Sequence, residues 1–297
     1  MESSALLRIL SPVLLSTFFA PPCAAATIPD WPKVQPELLE HFQALVRFDT
    51  SEFEAPAAEY VKSVLDREGI PAKIYAKDPK RPNVVARLKG NGSKKPLLIM
   101  GHLDVVGVQE NKWSVPPFSA TRKDGYIYGR GTVDDKDNLA TGLMLMVLLK
   151  RYNVPLDRDV ILLAESGEEG AVTFGIVYMI EEHWDEIAAE YCLAEGGGVS
   201  RKGGKLVRMN VATTEKIPQG MKLVAHGPSG HGSRPLQNNA VLVLTKAVAA
   251  IGTWQPPMRM NDTTRAYFER LATVSSPEEK ARYNGLENPA KSDEIQK

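Results

Sequence analysis

The chain has 297 residues, of which 43% are hydrophobic and 24% are charged. A chain of this length can bury a large core and can form two domains. Its 36 basic and 36 acidic residues give a formal net charge of zero, so no general electrostatic attraction to nucleic acid or to an anionic membrane surface is expected. The composition is that of an ordinary globular protein, and nucleic acid is not an expected partner.

Residues 1–26 differ in composition from the rest of the chain. An apolar run over residues 6–20 includes the basic Arg8, and a Pro-Pro-Cys break and three alanines suited to a processing enzyme follow it. The run is shorter than the roughly 20 apolar residues of a permanent membrane span, and no later segment approaches that length. We therefore predict a signal peptide over residues 1–26 and export to the periplasm or the extracellular space. A buried N-terminal helix is the alternative.

Helical periodicity and apolar runs alternate through the first two-thirds of the chain. Helices are predicted at residues 36–47, 57–68, 139–152 and 173–183, and buried strands at 83–88, 96–101, 160–164 and 191–194. This alternation predicts an α/β domain with a mostly parallel sheet and helices on both faces. In such sheets ligands bind beyond the carboxyl ends of the strands.

The pattern changes near residue 205. Residues 205–214 and 220–225 alternate like exposed antiparallel strands, and residues 239–251 form an amphipathic helical pattern. The sequence therefore predicts a first domain over residues 27–213 and a smaller α+β domain over residues 214–297.

Four short clusters of acidic and histidine residues follow the predicted strands. They are His102 with Asp104, Asp134 with Asp135, Glu168 with Glu169, and Glu195 before three glycines. Each cluster alone has an ordinary explanation, such as solvated loop acids or acids at a helix N-terminus, which the helix dipole favours by ~0.3 to 1 kcal/mol. Because all four follow strands of one predicted sheet, we expect them to share a divalent cation.

Two of the clusters also indicate a division of roles. Asp104 lies two residues after His102, where its carboxylate can accept the second imidazole N–H and fix the tautomer. Of the adjacent acids Glu168 and Glu169, one can ligate a metal while the other transfers protons. This pattern is typical of a metal-dependent hydrolase.

Five motifs in this order resemble one known family. They are GHLDVV, W-x-x-x-PF, GRG-x-x-DDK, SGEEG and EGGG. Together they are similar to the co-catalytic zinc peptidases of metallopeptidase family twenty, which include glutamate carboxypeptidase, aminoacylase, carnosinase-type dipeptidases and succinyl-diaminopimelate desuccinylase. The resemblance extends from about residue 36 to residue 251. It implies a zinc-exopeptidase-like domain, a ferredoxin-like lid and dimerisation domain, and hydrolysis of a peptide or N-acyl amino acid amide bond.

The resemblance implies two zinc ions bridged by Asp134. His102 and Glu195 would complete the shell of the first ion, and Glu169 would ligate the second. The peptide bond between Asp134 and Asp135 is expected to be cis. The same resemblance assigns Zn as the cofactor, with two ions per complete subunit.

The resemblance also implies the residues that would act on the substrate. Asp104 would orient the histidine ligand, and Glu168 would be the general base. The sequence GPSGHGSRP resembles the lid motif, in which His231 would reach the active site of a second subunit and stabilise the oxyanion. Catalysis would then require a homodimer formed through the lid domain.

The chain departs from the family pattern in two places. Asp137 follows the DDK motif where a small residue is usual, and no histidine follows His231 to complete the second zinc site. We therefore expect the sequence to be truncated at its C-terminus, with a complete first zinc site and an incomplete second one. The alternative to an active enzyme is an inactive metal-binding or dimerisation fragment. A serine hydrolase is not favoured, because Ser229 lies outside any G-x-S-x-G motif.

Overall fold

The computed structural model describes residues 29–213, 215, 217, 219–256 and 258–288. The predicted signal peptide, residues 1–26, lies outside the described residues. The chain divides into two compact units, Met1–Glu195 and Gly196–Lys297, and each is described by itself. The predicted domains, 27–213 and 214–297, stay a prediction.

The first unit alternates helices and strands. Its helices are α1 (Trp31–Arg47), α2 (Ala55–Arg67), α3 (Lys136–Arg151), α4 (Ile176–Glu182) and α5 (Trp184–Ile187). Its strands are β1 (Ala72–Tyr75), β2 (Asn83–Leu88), β3 (Leu97–His102), β4 (Thr121–Lys123), β5 (Tyr126–Tyr128), β6 (Val160–Glu165) and β7 (Tyr191–Leu193). Helix α1 begins five residues before the predicted start at Pro36, because Pro32 occupies a first-turn position where an N–H group needs no partner.

Five of these strands form one mixed sheet in the order β1-β2-β6-β3-β7. Strand β3 is parallel to both of its neighbours, whereas β2 is antiparallel to β1 and to β6. The α/β class is confirmed, but the expectation of a mostly parallel sheet is corrected to a mixed one. An apolar strand buried on both faces carries no sequence signal for its direction, so the antiparallel pairing of β2 could not be read from residues 83–88.

The three strands that precede acidic clusters are the parallel ones. Strands β6, β3 and β7 run in the same direction, and His102 is the register partner of Glu165. Their carboxyl ends therefore meet at one edge of the sheet. The mixed topology leaves the predicted location of these three clusters unchanged. The fourth prediction is wrong, because Asp134 and Asp135 lie in turns between the separate β4–β5 hairpin and α3, and not after a strand of this sheet.

Helices cover both faces of this sheet. Helices α1, α2 and α3 pack on one face in a cluster that includes Leu45, Val61 and Leu143. Helices α4 and α5 contribute Met179 and Ile187 to a smaller cluster on the other face. Burial of these apolar faces stabilises the unit at about 25 cal/mol per Å² of apolar surface removed from water.

The described residues of the second unit form the β8–β9 hairpin and three helices. Its elements are β8 (Gly198–Lys202), β9 (Lys205–Asn210), α6 (Ala240–Thr253), α7 (Asp262–Val274) and α8 (Pro277–Gly285). Strand β9 and helix α6 match the predictions for 205–214 and 239–251, but the strand predicted at 220–225 is wrong. Those residues are irregular and mostly exposed, because in the described part of this unit no strand pairs with them as an alternating pattern needs.

Helix α6 has an unusual burial pattern for its composition. Its sequence is rich in alanine, valine and leucine, yet no residue of the helix is buried. Of the helices in the described part of the chain, none combines the length and the hydrophobicity that a membrane crossing requires.

Candidate metal centre

The centre of the site is the buried imidazole of His102 at the end of β3, whose residue is 2% exposed. Its Nδ1 lies 2.9 Å from the backbone carbonyl oxygen of Asp104 and 3.4 Å from the Asp104 carboxylate. A proton on Nδ1 is therefore donated to the Asp104 carbonyl rather than to the carboxylate that the sequence suggested. This leaves Nε2 as the nitrogen that can ligate a metal.

Two half-exposed carboxylates face this nitrogen. Nε2 of His102 lies 2.9 Å from Oδ1 of Asp134 and 3.6 Å from Oε2 of Glu195. All three ligand atoms lie within 4.8 Å of one another. In a tetrahedral zinc site with bonds of about 2.1 Å, ligand atoms are about 3.4 Å apart. The spacing and the donor set of one imidazole and two carboxylates therefore fit a zinc ion.

The electrostatics of these three groups also fit a cation. Burial lowers the pKa of His102, but the Asp104 and Asp134 carboxylates outweigh it and raise that pKa to about 10. Burial, followed by repulsion from Asp134 and Asp135, raises the pKa of Glu195 to about 7. The site therefore concentrates negative charge that a proton on His102 or a divalent ion offsets.

Asp104 connects this histidine to the loop after β6. Its carboxylate accepts the backbone N–H groups of Glu168 at 3.1 Å and Glu169 at 2.9 Å. Burial raises the pKa of Asp104, but the nearby His102 imidazole and the hydrogen bond from the Glu169 N–H outweigh that effect and leave the pKa lowered. The ionised carboxylate of Asp104 thus holds the backbone that carries both glutamates.

The side chains of these glutamates lie outside the group of three ligands. Glu168 is exposed and Glu169 is half-buried, and among the described residues neither carboxylate accepts a hydrogen bond. Burial and repulsion from Asp134 raise the pKa of Glu169. The predicted roles of Glu168 as base and of Glu169 as a ligand of a second ion stay predictions.

The first turn of α3 meets the end of β3 very closely. The Asp134–Asp135 peptide bond is cis, as the family resemblance implies. Oδ2 of the buried Asp135 accepts the His102 backbone N–H at 3.2 Å and an Asn138 side-chain N–H at 3.3 Å. A Cβ atom on Gly101 would lie 2.9 Å from that carboxylate oxygen, so only glycine permits this approach.

Two buried charged residues of the site were missed in the sequence. Glu165 ends β6 beside His102 and is 3% exposed, and burial raises its pKa to about 7. Lys136 is fully buried in α3, and burial lowers its pKa to about 8 although Asp49 and Asp104 oppose that shift. An acid directly after the apolar run 160–164 was a visible signal for Glu165. No sequence pattern marks Lys136 as buried.

The remaining predicted features lie elsewhere. Asp137, the unusual acid after the DDK motif, is exposed at the start of α3. His231 belongs to the second unit and is exposed, with its Nδ1 2.7 Å from the Ser233 hydroxyl oxygen. Its predicted action on a second subunit stays a prediction.

Comparison with known proteins gives relatives whose names refer to N-acyl compounds. The chain is 38% identical over 144 residues to an N-formyl-4-amino-5-aminomethyl-2-methylpyrimidine deformylase of Halalkalibacterium halodurans, covering 46% of the chain and 34% of the relative. It is 35% identical over 189 residues to the N-fatty-acyl-amino acid synthase/hydrolase PM20D1 of Xenopus tropicalis, covering 60% and 36%. It is 32% identical over 212 residues to a probable succinyl-diaminopimelate desuccinylase of Staphylococcus epidermidis, covering 69% and 48%. The chain thus spans a third to a half of the length of these relatives.

Among solved structures, the chain is similar to the M20 family metallo-carboxypeptidase Sso-CP2 of Sulfolobus solfataricus, at 29% identity and a TM-score of 0.48, covering 56% of the chain and 38% of that protein. Residues 98–284, more than half of the chain, match the family described as Peptidase family M20/M25/M40. This matched region contains every residue of the candidate metal centre. The chain therefore belongs to peptidase family M20/M25/M40.

Proposed function

We propose that the protein is a zinc-dependent hydrolase of the amide bond in an N-acyl amino acid or a small peptide. The observation that carries the proposal is the convergence of Asp134 and Glu195 on Nε2 of the buried His102. Membership of the family supports metal-dependent hydrolysis, and the imidazole and carboxylate donors support zinc. Because the chain spans at most half of the length of the relatives described above, the activity of the whole protein belongs to this proposal.

The protein side of the mechanism follows from the positions of the side chains. A bound zinc ion would supply Lewis acidity that activates water and polarises the amide carbonyl. Asp104 keeps His102 in the tautomer that presents Nε2. Glu168 is exposed at the same edge of the sheet, so its carboxylate is available to take a proton from the attacking water and to deliver it to the leaving nitrogen.

The substrate class is proposed from the names of the relatives. The deformylase, the N-fatty-acyl-amino acid hydrolase and the desuccinylase are named for N-formyl, N-fatty-acyl and succinyl substrates. These names favour N-acyl amino acids over peptides as the first substrates to assay. A second zinc held by Asp134 and Glu169 is part of the proposal and would be tested by the number of ions bound.

One observation favours a second candidate function. Among the described residues, His102, Asp134 and Glu195 form the single group of three or more potential metal ligands. A chain with one tight metal site and no turnover would fit a metal-binding module that retains the fold. The two candidates differ in turnover, since both predict zinc binding.

The function of Glu168 gives a direct test. The variant Glu168→Gln should lose about 10²- to 10⁴-fold in turnover of an N-acyl amino acid, because the base is removed. Its zinc affinity should stay within about threefold, because Glu168 is outside the ligand group. Turnover and zinc binding would be measured on the unaltered protein, on the variant, and on the control Glu181→Gln, an exposed glutamate of α4.

The outcomes separate the candidates. Zinc binding with turnover that Glu168→Gln removes supports the hydrolase. Undiminished turnover in that variant contradicts the role of Glu168. Zinc binding without turnover in the unaltered protein favours the metal-binding module instead.

A further inference from the structure

Lys136 is a fully buried lysine two residues after the proposed ligand Asp134. Its ammonium donates a hydrogen bond to the backbone carbonyl oxygen of Phe48 at 2.7 Å. A Cβ atom on Gly131 would lie 3.1 Å from Cδ of this lysine, so the glycine leaves space for the aliphatic stem. Burying a cation carries a large desolvation cost, so mechanical attachment of α3 to the segment after α1 alone would be served better by an apolar contact.

Phe48 and Thr50 belong to the short segment that follows α1. The buried Thr50 hydroxyl donates to the carbonyl oxygen of Leu103 at 2.7 Å. The backbone N–H of Val105 donates to the carbonyl oxygen of Thr50 at 3.3 Å. These two hydrogen bonds lie on either side of Asp104, and they fix the backbone from which that carboxylate projects.

Asp104 then contacts both halves of the proposed chemistry. Its carbonyl oxygen accepts from His102, and its carboxylate accepts the backbone N–H groups of Glu168 and Glu169. The contact between Nε2 of His102 and Asp134 returns to the start of α3. These contacts, together with the backbone between them, therefore form a closed ring through segments as far apart in sequence as Phe48 and Lys136.

We infer that Lys136, Phe48 and Thr50 form a brace that positions Asp104 and thereby sets the distances among the metal ligands and the proposed base. The inference rests on the proposed function, because these distances matter for chemistry only when a metal binds. The residues of the brace are positioning residues, since they reach the ligands only through Asp104 and the first turn of α3. A merely stabilising role would leave the affinity for metal unchanged in variants that fold.

Two apolar replacements test the brace in the full chain. Lys136→Met removes the ammonium and keeps the stem, and Thr50→Val removes the hydroxyl and keeps the shape. Zinc affinity, measured by competition with a chromophoric chelator, should fall about 10- to 100-fold in each variant, as is usual when groups that orient metal ligands are removed. Thr50→Ser, which keeps the hydroxyl, should retain the affinity, and so should Lys150→Met, an exposed lysine of the same helix.

Hydrogen exchange in the metal-free protein gives a second measurement. The amides of Glu168 and Glu169 should exchange about tenfold faster in Thr50→Val than in Thr50→Ser, because the acceptor Asp104 is no longer held in place. If Lys136→Met does not fold, this threonine pair decides the inference.

The two proposals fail in different ways. If the unaltered protein binds no zinc, the proposed function fails, and the exchange rates alone decide whether the brace exists. If the unaltered protein binds zinc, but every folded brace variant keeps its affinity within about twofold and its exchange rates unchanged, the brace inference is overturned while the proposed function stands.

Discussion

The two units of the chain bury their apolar residues to very different extents. In the first unit, strands β2 and β6 are almost wholly buried between helices on both faces of the sheet. In the described part of the second unit, the buried residues are Leu271, Ala272, Gly285 and Leu286, and α6 has none. The proposed metal ligands all belong to the unit with the continuous core.

This difference shows what a metal centre requires from a fold. A core that excludes water holds strand ends in fixed positions, and it lets a buried imidazole and the acids around it shift one another's pKa values. The second unit keeps its helices by local means, since α7 and α8 both begin with capping boxes. Local capping supplies about 1 kcal/mol per helix and does not align distant segments.

The largest effect expected from this comparison is in the core. Leu162 of β6 is 1% exposed, so Leu162→Ala should lower the free energy of unfolding by about 2 to 5 kcal/mol. Val248 of α6 is 53% exposed, so Val248→Ala should change it by less than about 0.5 kcal/mol. Both would be measured by urea titration of the full chain. A loss above about 1 kcal/mol for Val248→Ala would show that α6 is covered by another surface in solution.

A smaller effect concerns the buried acid beside the metal centre. Because burial raises the pKa of Glu165 to about 7, the folded metal-free protein binds more protons than the unfolded chain between pH 4.5 and pH 7. The contribution of Glu165 to the stability of the folded state is therefore fully present below pH 4.5, and it is lost as the pH rises through 7. The variant Glu165→Gln stays neutral. Its free energy of unfolding, relative to that of the unaltered protein, should therefore rise by about 2 to 3 kcal/mol when the pH is raised from 5 to 8.

Unfolding free energies at those two pH values would be compared with those of Glu269→Gln, an exposed acid of α7. A difference between Glu165→Gln and the unaltered protein that does not depend on pH would contradict a buried acid that ionises with difficulty. We expect a large pH-dependent gain in the free energy of unfolding for Glu165→Gln in the first unit, and none for Glu269→Gln in the second.

The smallest effect concerns the cap of α7. The side chain of Asn261 accepts the Thr264 N–H at 2.8 Å, and the Asn261 N–H donates back to the Thr264 hydroxyl at 2.9 Å. Asn261→Ala should weaken the helix by about 1 kcal/mol, whereas Asn261→Asp should keep the cap. Faster hydrogen exchange at Thr264 in the alanine variant would report the loss. Equal exchange in both variants would show that tertiary packing, not the cap, holds α7.

Much of the first unit could be predicted because its strands are apolar on both faces. The strand at 83–88 was predicted with its observed limits, and Gly69 follows α2 with φ +63°, as expected of a helix end. Strand β1 was missed because it is largely exposed, and the β4–β5 hairpin was missed because each of its strands has three residues. Burial of both faces produces a strong sequence signal, and short or exposed strands do not.

The candidate site was predictable to the same extent. Three of the four clusters follow parallel strands of the sheet, so the sequence could indicate that His102 and Glu195 meet at one sheet edge. The position of Asp134 depends on the turns before α3, which carry no comparable signal. The burial of Lys136 could not be predicted, because it depends on the approach of the chain after α1, about 88 residues earlier in sequence. Long-range hydrogen bonds of this kind leave no local pattern.

The close contact at Gly101 has a consequence for natural variation and for redesign. A methyl group at this position would lie 2.9 Å from the Asp135 carboxylate and 3.2 Å from the Leu139 backbone, so the start of α3 would have to move while every ligand remained in the sequence. A mutational survey that scores only the chelating side chains would count such a protein as competent. The absence of a side chain at Gly101 is therefore part of what sets the distance between β3 and the start of α3.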